Sequence, residues 1–465
     1  MRKLLLSFVL VMLGYSLLWA QDRTITGTVT ASSDGTPLPG VSVSIKGTTR
    51  GNVTDAQGRY SLAAPDNATL VFSFVGFISQ EVAVGGRSSI NVALQSDVSE
   101  LSEVVVTGYG TQNKREISGS VATVKGSTIS QMPMASFDQT LQGMAPGILV
   151  QANSGQPGAA ASILIRGRGS ILGSTTPLFI MDGVEISSTD FSTLNPGDFE
   201  SLTVLNDAAS TSIYGSRGAN GVIVITTKKG RSGKAQLNYD VQYGASSPPV
   251  NRLKLMDSNQ KLDYELSRGN PYEWTDEDVA RLRQINTNWE DVFFRTGRTA
   301  SHTLSVSGGS DKTTYFLSGS LFDQTGTVKN TGLRRYTGRI NIESGSGGFT
   351  FGLNSTFGYS EFTNTSEANT GIATPLNAIR WINPYETPYD EEGNFTQMVS
   401  GQPNALEELL GNSNLRQQLK GVGNVYAAYE IPFVKGLRVR TSWGGDFISN
   451  ENTFYNGPTT VTGRS

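Results

Sequence analysis

A strict alternation of side-chain type in the second half of the chain constrains the fold more than any other feature. In AQLNYDVQYG, every second side chain is apolar (Leu237, Tyr239, Val241, Tyr243) and those between are polar (Gln236, Asn238, Asp240, Gln242). The same pattern returns further on, with Phe349, Phe351, Leu353, Phe357 and Tyr359, and again with Leu437, Val439, Trp443 and Phe447. Segments of about ten residues that are apolar on one side and polar or glycine on the other are typical of transmembrane β-strands.

A soluble β-sandwich also has alternating strands, so the pattern by itself leaves two classes open. Aromatic residues recur on the apolar side, and two long insertions interrupt the strands, from Ser247 to Arg298 and from Thr363 to Lys420. The first insertion contains a predicted helix that starts at Thr275, with Asp278 placed to complete a capping box. Long loops on one side and tight turns such as IPFVKGL on the other favour a membrane barrel.

The N-terminus, MRKLLLSFVLVMLGYSLLWAQD, has the features of a secretory signal peptide over residues 1–20. Arg2 and Lys3 supply the positive charge, residues 4–18 the apolar run, and Ala20 a small residue at the expected cleavage site. No other segment reaches about 18 apolar residues, so we expect an exported protein without a transmembrane helix.

Composition removes several classes of function. The 465 residues include 53 glycines, no cysteine and one histidine, His302, and carry a net charge of −3. Without thiols there can be no cysteine nucleophile, disulfide or thiolate metal site, and one histidine cannot form a histidine relay. The charge offers no basic surface for nucleic acid, and no paired acid and base stand in a recognisable setting. We therefore expect neither an enzyme nor a cofactor.

Two smaller units precede the alternating strands. Residues 24–95 contain short strands separated by turn signals such as SSDGTPLPG and DAQGR, which predicts a small β-sandwich. Residues 111–230 combine strands with a short helix and predict a mixed α/β unit. There, DAASTSIYGSRGANG resembles a phosphate loop, but its glycines precede the strand GVIVITT, and no GK[ST] is present. Nucleotide binding is therefore not expected.

One strand has no evident sheet. EVVVTGYG, from Glu103 to Gly110, contains three valines and a threonine in a row, and β-branched residues favour an extended backbone. A polar linker precedes it, and the charged, turn-prone TQNKRE follows. Because a strand needs a neighbour for its backbone N–H and C=O groups, the sequence leaves open which sheet this one joins.

The order of these parts resembles that of SusC/RagA-type TonB-dependent outer-membrane transporters of Bacteroidota. GTPLPGVSVSIKGTTRGNVTDAQGRYSL is similar to their carboxypeptidase-regulatory-like sandwich, and LSEVVVTGYGTQNKREISGSV to the TonB box and the start of the plug. ILIRGRGSILGSTTPLFIMDGVEI and VLNDAASTSIYGSRGANGVIVITTKKG are similar to the plug signatures, although Asn206 stands where lysine is more usual. NWEDVFFRTG and the segment from His302 to Glu343 resemble the early barrel.

The resemblance implies a mainly β chain in five segments. These are a signal peptide (1–20), a carboxypeptidase-regulatory-like (transthyretin-like) β-sandwich (22–95), a linker with the TonB box (96–110), a mixed α/β plug domain (111–230) and the N-terminal portion of an antiparallel transmembrane β-barrel (234–465). The family barrel has about twenty-two strands. Only about seven can be placed after Gly233, so we expect the N-terminal part of a longer transporter.

The resemblance also implies two sets of site residues, and no catalytic, cofactor or metal residue. The TonB box would comprise Glu103, Val104, Val105, Val106, Thr107, Gly108 and Tyr109. The plug signature, with a structural or gating role, would comprise Arg166, Gly167, Asp182, Gly183, Asp207, Tyr214, Gly215, Arg217, Gly218, Asn220 and Gly221.

Some of these residues carry more specific expectations. Arg166 and Arg217 are expected to bind carboxylates of the barrel wall, and Asp182 and Asp207 to cap turns. Tight or left-handed turns, in which a side chain would be strained, are expected at Gly215, Gly218 and Gly221.

In function, the resemblance implies TonB-dependent import of a large nutrient, an oligosaccharide or a peptide, across the outer membrane of a Gram-negative bacterium. The partners would be TonB with its inner-membrane motor proteins, a SusD-like surface lipoprotein and outer-membrane lipid, but no nucleic acid. The sandwich and plug would face the periplasm, and EVVVTGYG would pair with the edge of TonB's sheet. The alternative is a secreted or surface-attached β-rich adhesin or structural protein, which would have no use for a plug signature.

Overall fold

The structure, a computed structural model, describes residues 22–32, 34–95, 104–107, 110–113, 121–132, 134, 136–152, 154–170, 172–187, 191–249, 252–365, 367, 374–399, 401–434 and 436–464. The chain forms two compact units that divide between residues 103 and 104. None of the helices in the described ranges is both long and apolar enough to cross a lipid bilayer.

The first unit, here named the sandwich unit, contains seven short strands in two sheets. They are β1 (Arg23–Ala31), β2 (Ser42–Ile45), β3 (Gly51–Val53), β4 (Arg59–Ala64), β5 (Thr69–Ser73), β6 (Gln80–Ala83) and β7 (Val92–Leu94). One sheet has the order β4-β1-β7 and the other β3-β2-β5-β6. Alternate side chains form a shared apolar core that includes Ile25, Val29, Val43, Leu62, Leu70, Phe72 and Leu94. The predicted small β-sandwich is confirmed.

A tyrosine hydroxyl is buried in the core of the sandwich unit. Tyr60 Oη donates a hydrogen bond of 2.9 Å to the carbonyl oxygen of Ile90, and its ring meets that of Phe72 edge to face at 5.4 Å. Burial raises the pKa of Tyr60 to about 12, so the hydroxyl remains a neutral donor. Because its one polar atom has a partner, this large side chain packs as an apolar residue does.

The second unit begins with a β-hairpin. Strand β8 (Val104–Thr107) runs antiparallel to β9 (Gly110–Asn113), with Val105 opposite Gln112. Glu103, Gly108 and Tyr109 lie outside the described residues. The valine-rich strand thus pairs with the segment directly after it, which the sequence did not predict, because GTQN contains few β-favouring residues. In the described residues, this sheet has two strands.

A central unit, residues 121–230, follows the hairpin. Its mixed sheet has the order β10-β15-β16-β13-β14, formed by β10 (Val121–Lys125), β13 (Leu178–Met181), β14 (Val184–Ile186), β15 (Phe199–Leu205) and β16 (Val222–Thr227). A separate hairpin contains β11 (Ile148–Ala152) and β12 (Ala161–Ile165). The short helices are α1 (Gly126–Ser130), α2 (Phe137–Thr140) and α3 (Ala208–Thr211), with 3-10 turns at 191–193, 196–198 and 212–218. The continuous apolar runs LFIM and VIVI form the parallel pair β13–β16, which is buried on both faces.

Seven long strands form the third part, here named the wall sheet. They are β17 (Gly233–Ser246), β18 (Gly297–Gly309), β19 (Thr313–Thr325), β20 (Gly332–Ser346), β21 (Phe349–Asn364), β22 (Ser413–Glu430) and β23 (Arg438–Tyr455). Each is antiparallel to the next in chain order, so β17 and β23 are the two edges of an open sheet. About seven strands were predicted after Gly233, and this number is confirmed.

The two faces of the wall sheet differ as the alternation predicts. On β21 the exposed side chains are those of Phe349, Phe351, Leu353 and Phe357. The residues between them on the other face are polar or glycine and include the buried Asn354, Thr356, Gly358 and Ser360. The face that carries polar residues and glycine is the one that meets the central unit.

Two insertions between wall strands, here named together the loop lobe, comprise described residues 252–296 and 374–412. They contain α4 (Ser258–Ser267), α5 (Asp276–Leu282), α6 (Trp289–Phe293), α7 (Pro375–Trp381) and α8 (Ala405–Gly411), while α9 (Val461–Arg464) follows β23. Helix α5 is capped at Thr275 with the predicted capping box to Asp278. The predicted limits of the second insertion, Thr363 to Lys420, are wrong. Strand β21 continues to Asn364 and β22 begins at Ser413, because polar strand ends are hard to distinguish from a loop.

Candidate functional site

The candidate site is the interface between the central unit and the polar face of the wall sheet. Side chains on β17, β19, β20 and β23 make hydrogen bonds to the central unit, namely Gln242, Ser318, Arg335, Arg339, Asn341 and Asp446. Two buried carboxylates of the central unit, one at a β-turn and one at a 3-10 turn, lie at the centre of this interface.

The turn between β13 and β14 supplies a buried ion pair. Met181 pairs with Val184, so Asp182 and Gly183 form a two-residue turn, and both have positive φ (48° and 88°), as a type I′ turn requires. The carboxylate of Asp182 meets Arg339 of β20, with Oδ2 and Nη2 2.7 Å apart and the side chains 8% and 1% exposed. Removing either charge would leave the other buried without its counter-charge.

Neighbouring polar groups complete this ion pair. Thr227, at the end of β16, donates to the Asp182 carboxylate through its backbone N–H (3.1 Å) and its hydroxyl (2.6 Å). Arg339 also donates to Asn341 Oδ1 at 3.0 Å, and Asn341 Nδ2 donates to the carbonyl oxygen of Lys228 at 2.5 Å. The pair is therefore the centre of a network that joins three elements, β16, the β13–β14 turn and β20.

The second buried carboxylate, Asp198, lies just before β15. Its Oδ1 accepts a hydrogen bond of 2.6 Å from Ser318 Oγ of β19, and its backbone carbonyl accepts one of 2.9 Å from the N–H of Lys228. Burial raises the pKa of Asp198, and the Ser318 hydrogen bond and the charge of Arg339 oppose that rise. Among the described residues, Asp198 Oδ2 has no hydrogen-bond partner.

A small polar cavity lies beside Asp198. It measures about 240 Å³, and Lys228 and Arg335 also line it. Arg335 is 2% exposed, donates to the carbonyl oxygen of Ser192 at 3.0 Å, and holds its guanidinium 4.7 Å from the ring centre of Phe322. A cation stacked on an aromatic ring is attracted to it most strongly where water is excluded.

Two wall glycines allow close approach of the central unit. A Cβ atom on Gly358 of β21 would overlap the carbonyl oxygen of Thr193, and one on Gly444 of β23 would overlap a methyl group of Val184. At these positions the wall has no room for a side chain. The fit of the interface thus depends on glycine placement as well as on charge.

The structure corrects the expected partners of the two signature arginines. Arg166 Nη2 lies 3.9 Å from Asp207 Oδ1, and Arg217 forms an ion pair with Glu185, so both carboxylates belong to the central unit. The prediction that these arginines bind carboxylates of the barrel wall is therefore wrong for the described residues. Both pairs are largely exposed, and exposed ion pairs contribute little to stability.

All three predicted turn glycines lie where a side chain would be strained, as expected. Gly215 and Gly221 have φ of 60° and 89°, which confirms left-handed turns there. Gly167, for which no such turn was predicted, also has a positive φ of 87°. Gly218 has a negative φ, and it is needed because an added Cβ would lie 2.9 Å from the carbonyl oxygen of Thr211.

The remaining signature residues have local roles in the central unit. Asn220 Nδ2 donates to the carbonyl oxygen of Ser174 at 2.8 Å, and Tyr214 is 8% exposed, packed among apolar residues. Asp207 occupies the N-cap position of α3 but makes no capping bond with its side chain, so its predicted capping role is wrong. Asp182 lies in a turn as predicted, but its carboxylate binds the wall.

Sequence reasoning missed the wall side of this interface. A signal was present, because every second residue in the middle of LRRYTGRINIE is polar: Arg335, Thr337, Arg339 and Asn341. Each of them is buried. Their partners are far away in sequence, 157 residues in the case of Asp182, and no local pattern could have paired them.

The chemistry of this interface is that of binding. Within the described residues, no group of three or more histidine, aspartate or glutamate side chains is placed to hold a metal ion. Buried charges, amides and hydroxyls can join two surfaces firmly while leaving them separable, because water can replace each partner.

Two family models match parts of the chain. They are the CarboxypepD_reg-like domain over residues 25–106 and the TonB-dependent Receptor Plug Domain over residues 113–222. The second covers most of the central unit. The first extends beyond the sandwich unit into β8.

Named relatives extend the likeness to nearly the whole chain. TonB-dependent receptor P3 of Formosa agariphila is 37% identical over 462 residues, which are 97% of this chain and 44% of that protein. TonB-dependent receptor SusC of Bacteroides thetaiotaomicron is 33% identical over 469 residues, 94% of this chain and 45% of that protein. The chain therefore spans somewhat less than half the length of these relatives. Both are named as receptors, in agreement with the prediction of a non-enzyme.

A solved structure agrees with the sequence relatives. The structure of the RagAB peptide importer in the "open-open" state superposes with a TM-score of 0.65 at 28% identity, over 76% of this chain and 43% of that one. Nothing in these comparisons supports the adhesin alternative. Together with the sandwich, the central unit and the wall sheet, they place the chain in the SusC/RagA-type family of TonB-dependent receptors.

Proposed function

We propose that the complete receptor imports a large nutrient, an oligosaccharide or a peptide, across the outer membrane, and that this chain contributes its plug and first wall strands. The observation that carries the proposal is the buried polar interface of the central unit with the wall sheet. The Asp182–Arg339 ion pair and the Asp198–Ser318 hydrogen bond hold the two together, beside an apolar contact in which Val422 of β22 packs against the core of the central unit.

The outward face of the wall sheet supports a membrane location. Large apolar side chains are exposed there, such as Phe357 (58%) on β21 and Trp443 (64%) on β23. Lipid accepts these side chains but not the unpaired backbone groups of an open strand edge. We therefore expect further strands to pair with β17 and β23 in the complete receptor and to close a barrel around the central unit.

The polar interface suits a plug that must move. When apolar surfaces separate, both lose the burial that stabilised them, at about 25 cal/mol per Å². Hydrogen-bonded groups instead exchange a protein partner for water, so the net cost of a typical bond is only about 0.5–1.5 kcal/mol. A pulling force can therefore displace the central unit without unfolding the wall.

We assign β8 as the segment that TonB binds. The proposed TonB box runs from Glu103 to Tyr109 and includes Val104–Thr107 of β8. Strand β9 pairs with one edge of β8, so TonB's sheet would add to the other edge or displace β9. Backbone hydrogen bonds make little demand on side chains, which suits a plain run of valines.

The remaining partners follow from the family. A SusD-like lipoprotein would cover the outer opening on the side of the loop lobe, and the sandwich unit and central unit would face the periplasm. TonB would act with its inner-membrane motor proteins. The RagAB importer is named for peptide, which keeps peptide beside oligosaccharide as a cargo class.

Two substitutions at Val105 test the energised step. In the complete receptor, Val105→Pro removes a backbone N–H and fixes φ, so it should abolish uptake while leaving cargo binding at the cell surface intact. Val105→Thr keeps the donor and the strand propensity and should change uptake little. Uptake and surface binding are measured side by side. Equal loss of uptake in both variants, or full uptake by the proline variant, would refute strand addition at this site.

A further inference from the structure

The two insertions of the loop lobe pack together as one body. Trp289 Nε1 of the first donates to the carbonyl oxygen of Asn383 in the second at 3.0 Å, and Tyr385 Oη of the second donates to the buried Glu265 of the first at 2.9 Å. An apolar core combines residues from both insertions, including Phe293, Ile379, Ile382, Leu406 and Leu409. Surfaces on the lobe are therefore held in fixed positions rather than carried on separate loops.

A cavity opens in this lobe where the two insertions meet. It measures about 680 Å³ and is lined by residues 253–257, 286–290 and 379–384. That volume lies within the range of about 300–1,000 Å³ that is usual for sites binding small ligands. The lining consists of helix ends and connecting segments, with no β-strand among the described residues.

One aromatic side chain at the cavity points away from the core of the lobe. Trp381 is 72% exposed, whereas its neighbours Ile379 and Ile382 are 8% and 6% exposed and belong to the core. Packing in the core of the lobe explains why Ile379 and Ile382 are buried apolar residues, but it does not explain an apolar indole at the exposed position 381. An exposed indole at a cavity offers a flat apolar surface for stacking.

Two cations line the same cavity without protein partners. Among the described residues, neither Lys254 nor Arg380 forms an ion pair or a hydrogen bond through its side chain. By contrast, Lys261 is paired with Glu265 at 3.1 Å, and the Asp257 side chain is occupied in the capping box of α4. The carboxylates in the lining are those of Asp257 and Glu290, so three cations face two carboxylates and the lining carries one net positive charge.

We propose that this cavity binds an anionic oligosaccharide, with the apolar face of one sugar ring on Trp381 and carboxylate or sulfate groups at Lys254 and Arg380. The proposal extends the import function proposed above by specifying the class of cargo. A peptide fits less well, since an extended peptide binds best along a strand edge, and the cavity lining has none in the described part of the chain. Arg380 can bind a carboxylate or sulfate with two donors at once.

Binding to matched charged and neutral sugars tests the proposal on the purified complete receptor. The first pair of probes is an oligogalacturonate hexamer and its methyl ester, and the second is a chondroitin sulfate hexasaccharide and its desulfated form. At least one anionic probe should bind, at least about tenfold more tightly than its neutral counterpart, and binding should weaken in high salt. The pair that responds identifies carboxylate or sulfate as the recognised group. Absence of binding by both anionic probes would overturn the proposal.

Variants then locate the site. Trp381→Ala should weaken binding about tenfold, and Lys254→Ala and Arg380→Ala should each weaken it about three- to tenfold and reduce its salt dependence. Leu376→Ala is the matched control, because Leu376 is 60% exposed on the same helix but lies outside the cavity lining. Wild-type affinity in the Trp381 variant would overturn the assignment.

Two further arms separate rival explanations. A glutamate hexapeptide that competes as well as the anionic sugar would overturn the saccharide assignment. The saccharide assignment would also be overturned if the Trp381, Lys254 and Arg380 variants bound the sugar normally but lost the lipoprotein partner on purification.

Val105→Pro should bind the sugar as the wild type does. Normal binding with normal uptake in that variant would contradict the TonB proposal and leave this site standing.

Discussion

The sandwich unit and the interface between the central unit and the wall sheet are both buried, but by opposite chemistry. In the sandwich, Ile25, Leu70 and Phe72 are fully buried among other apolar side chains. At the interface, the side chains of Asp182 and Arg339 are 8% and 1% exposed, and they lie among charges, hydroxyls and amides. The difference indicates that the apolar core stabilises a permanent fold, whereas the polar interface is a contact that can separate and form again.

Energetics explain the contrast. An apolar core is stabilised mainly by the exclusion of water, so even a small separation of its surfaces loses most of the stabilising free energy. A polar interface is stabilised by specific pairs, and water can replace each of them once the surfaces part. The cavity of about 240 Å³ beside Asp198 indicates that the interface is not packed to the density of a core.

The largest effect is expected from breaking the apolar core. Phe72→Ala should lower the free energy of unfolding of the sandwich unit by about 3–5 kcal/mol, because it removes a fully buried ring and leaves a cavity. Urea-dependent proteolysis of the sandwich in the complete receptor measures this. The control is Val75→Ala, since Val75 is 94% exposed, and its effect should stay within about 0.5 kcal/mol. Entry of large antibiotics through the receptor should not change. A rise in entry would mean that the two regions are not independent.

A smaller effect on stability, with a larger effect on permeability, is expected at Arg339. Arg339→Gln leaves the buried Asp182 carboxylate with Thr227 but without a counter-charge, which should weaken the interface by about 3 kcal/mol. Passive entry of large antibiotics into cells should increase. Adding Asp182→Asn should restore part of the loss, since no unpaired charge then remains. Strictly additive losses would show that the two side chains do not act as a pair.

Asp198 should make the interface sensitive to pH. Because burial raises the pKa of Asp198 above the unfolded value, the folded protein binds its proton more tightly than the unfolded chain does. Its contribution to stability is therefore fully present below the ordinary aspartate pKa of about 3.9 and is lost as pH rises through the raised pKa.

Asp198→Asn should flatten this dependence, since the amide cannot ionise. Thermal unfolding of the complete receptor across this range, for wild type and variant, is the measurement. A control of opposite sign is Asp278→Asn, because its hydrogen bonds with Thr275 lower the pKa of Asp278. If the thermal stability of the Asp198→Asn variant depended on pH as strongly as that of the wild type, groups other than Asp198 would be responsible.

The smallest effect is expected at Arg217. Its partner Glu185 lies in the central unit, and the two side chains are 64% and 46% exposed, so Arg217→Ala should cost no more than about 1 kcal/mol. Antibiotic entry should stay at the wild-type level, in contrast to Arg339→Gln. Entry equal to that of the Arg339 variant would mean that Arg217 holds the central unit to the wall after all.

Local patterns predicted the fold better than the site. Alternation over about ten residues determines which strands form and which face is apolar, and the capping box at Thr275 depends on residues only three apart. The type I′ turn at Asp182 and Gly183 is equally local. That the Asp182 carboxylate meets Arg339 depends on the packing of two distant elements, which no period in the sequence encodes. Strand β9 was missed for a related reason, since its pairing with β8 outweighs its weak propensity.

The strand order of the wall sheet has a consequence for how the protein assembles. Each wall strand pairs with the next one in the chain, and four of the six connections are short turns, so those hairpins can form from neighbouring residues. The β17–β18 and β21–β22 pairs instead have to close over the two insertions of the loop lobe. In the sheet of the central unit, β10 pairs with β15 and β13 with β16, so other strands lie between the partners in the chain. Loop closure makes such pairings slow. We therefore expect the wall to grow one hairpin at a time, with one advancing edge, around a central unit that needs most of its own length before its sheet can close.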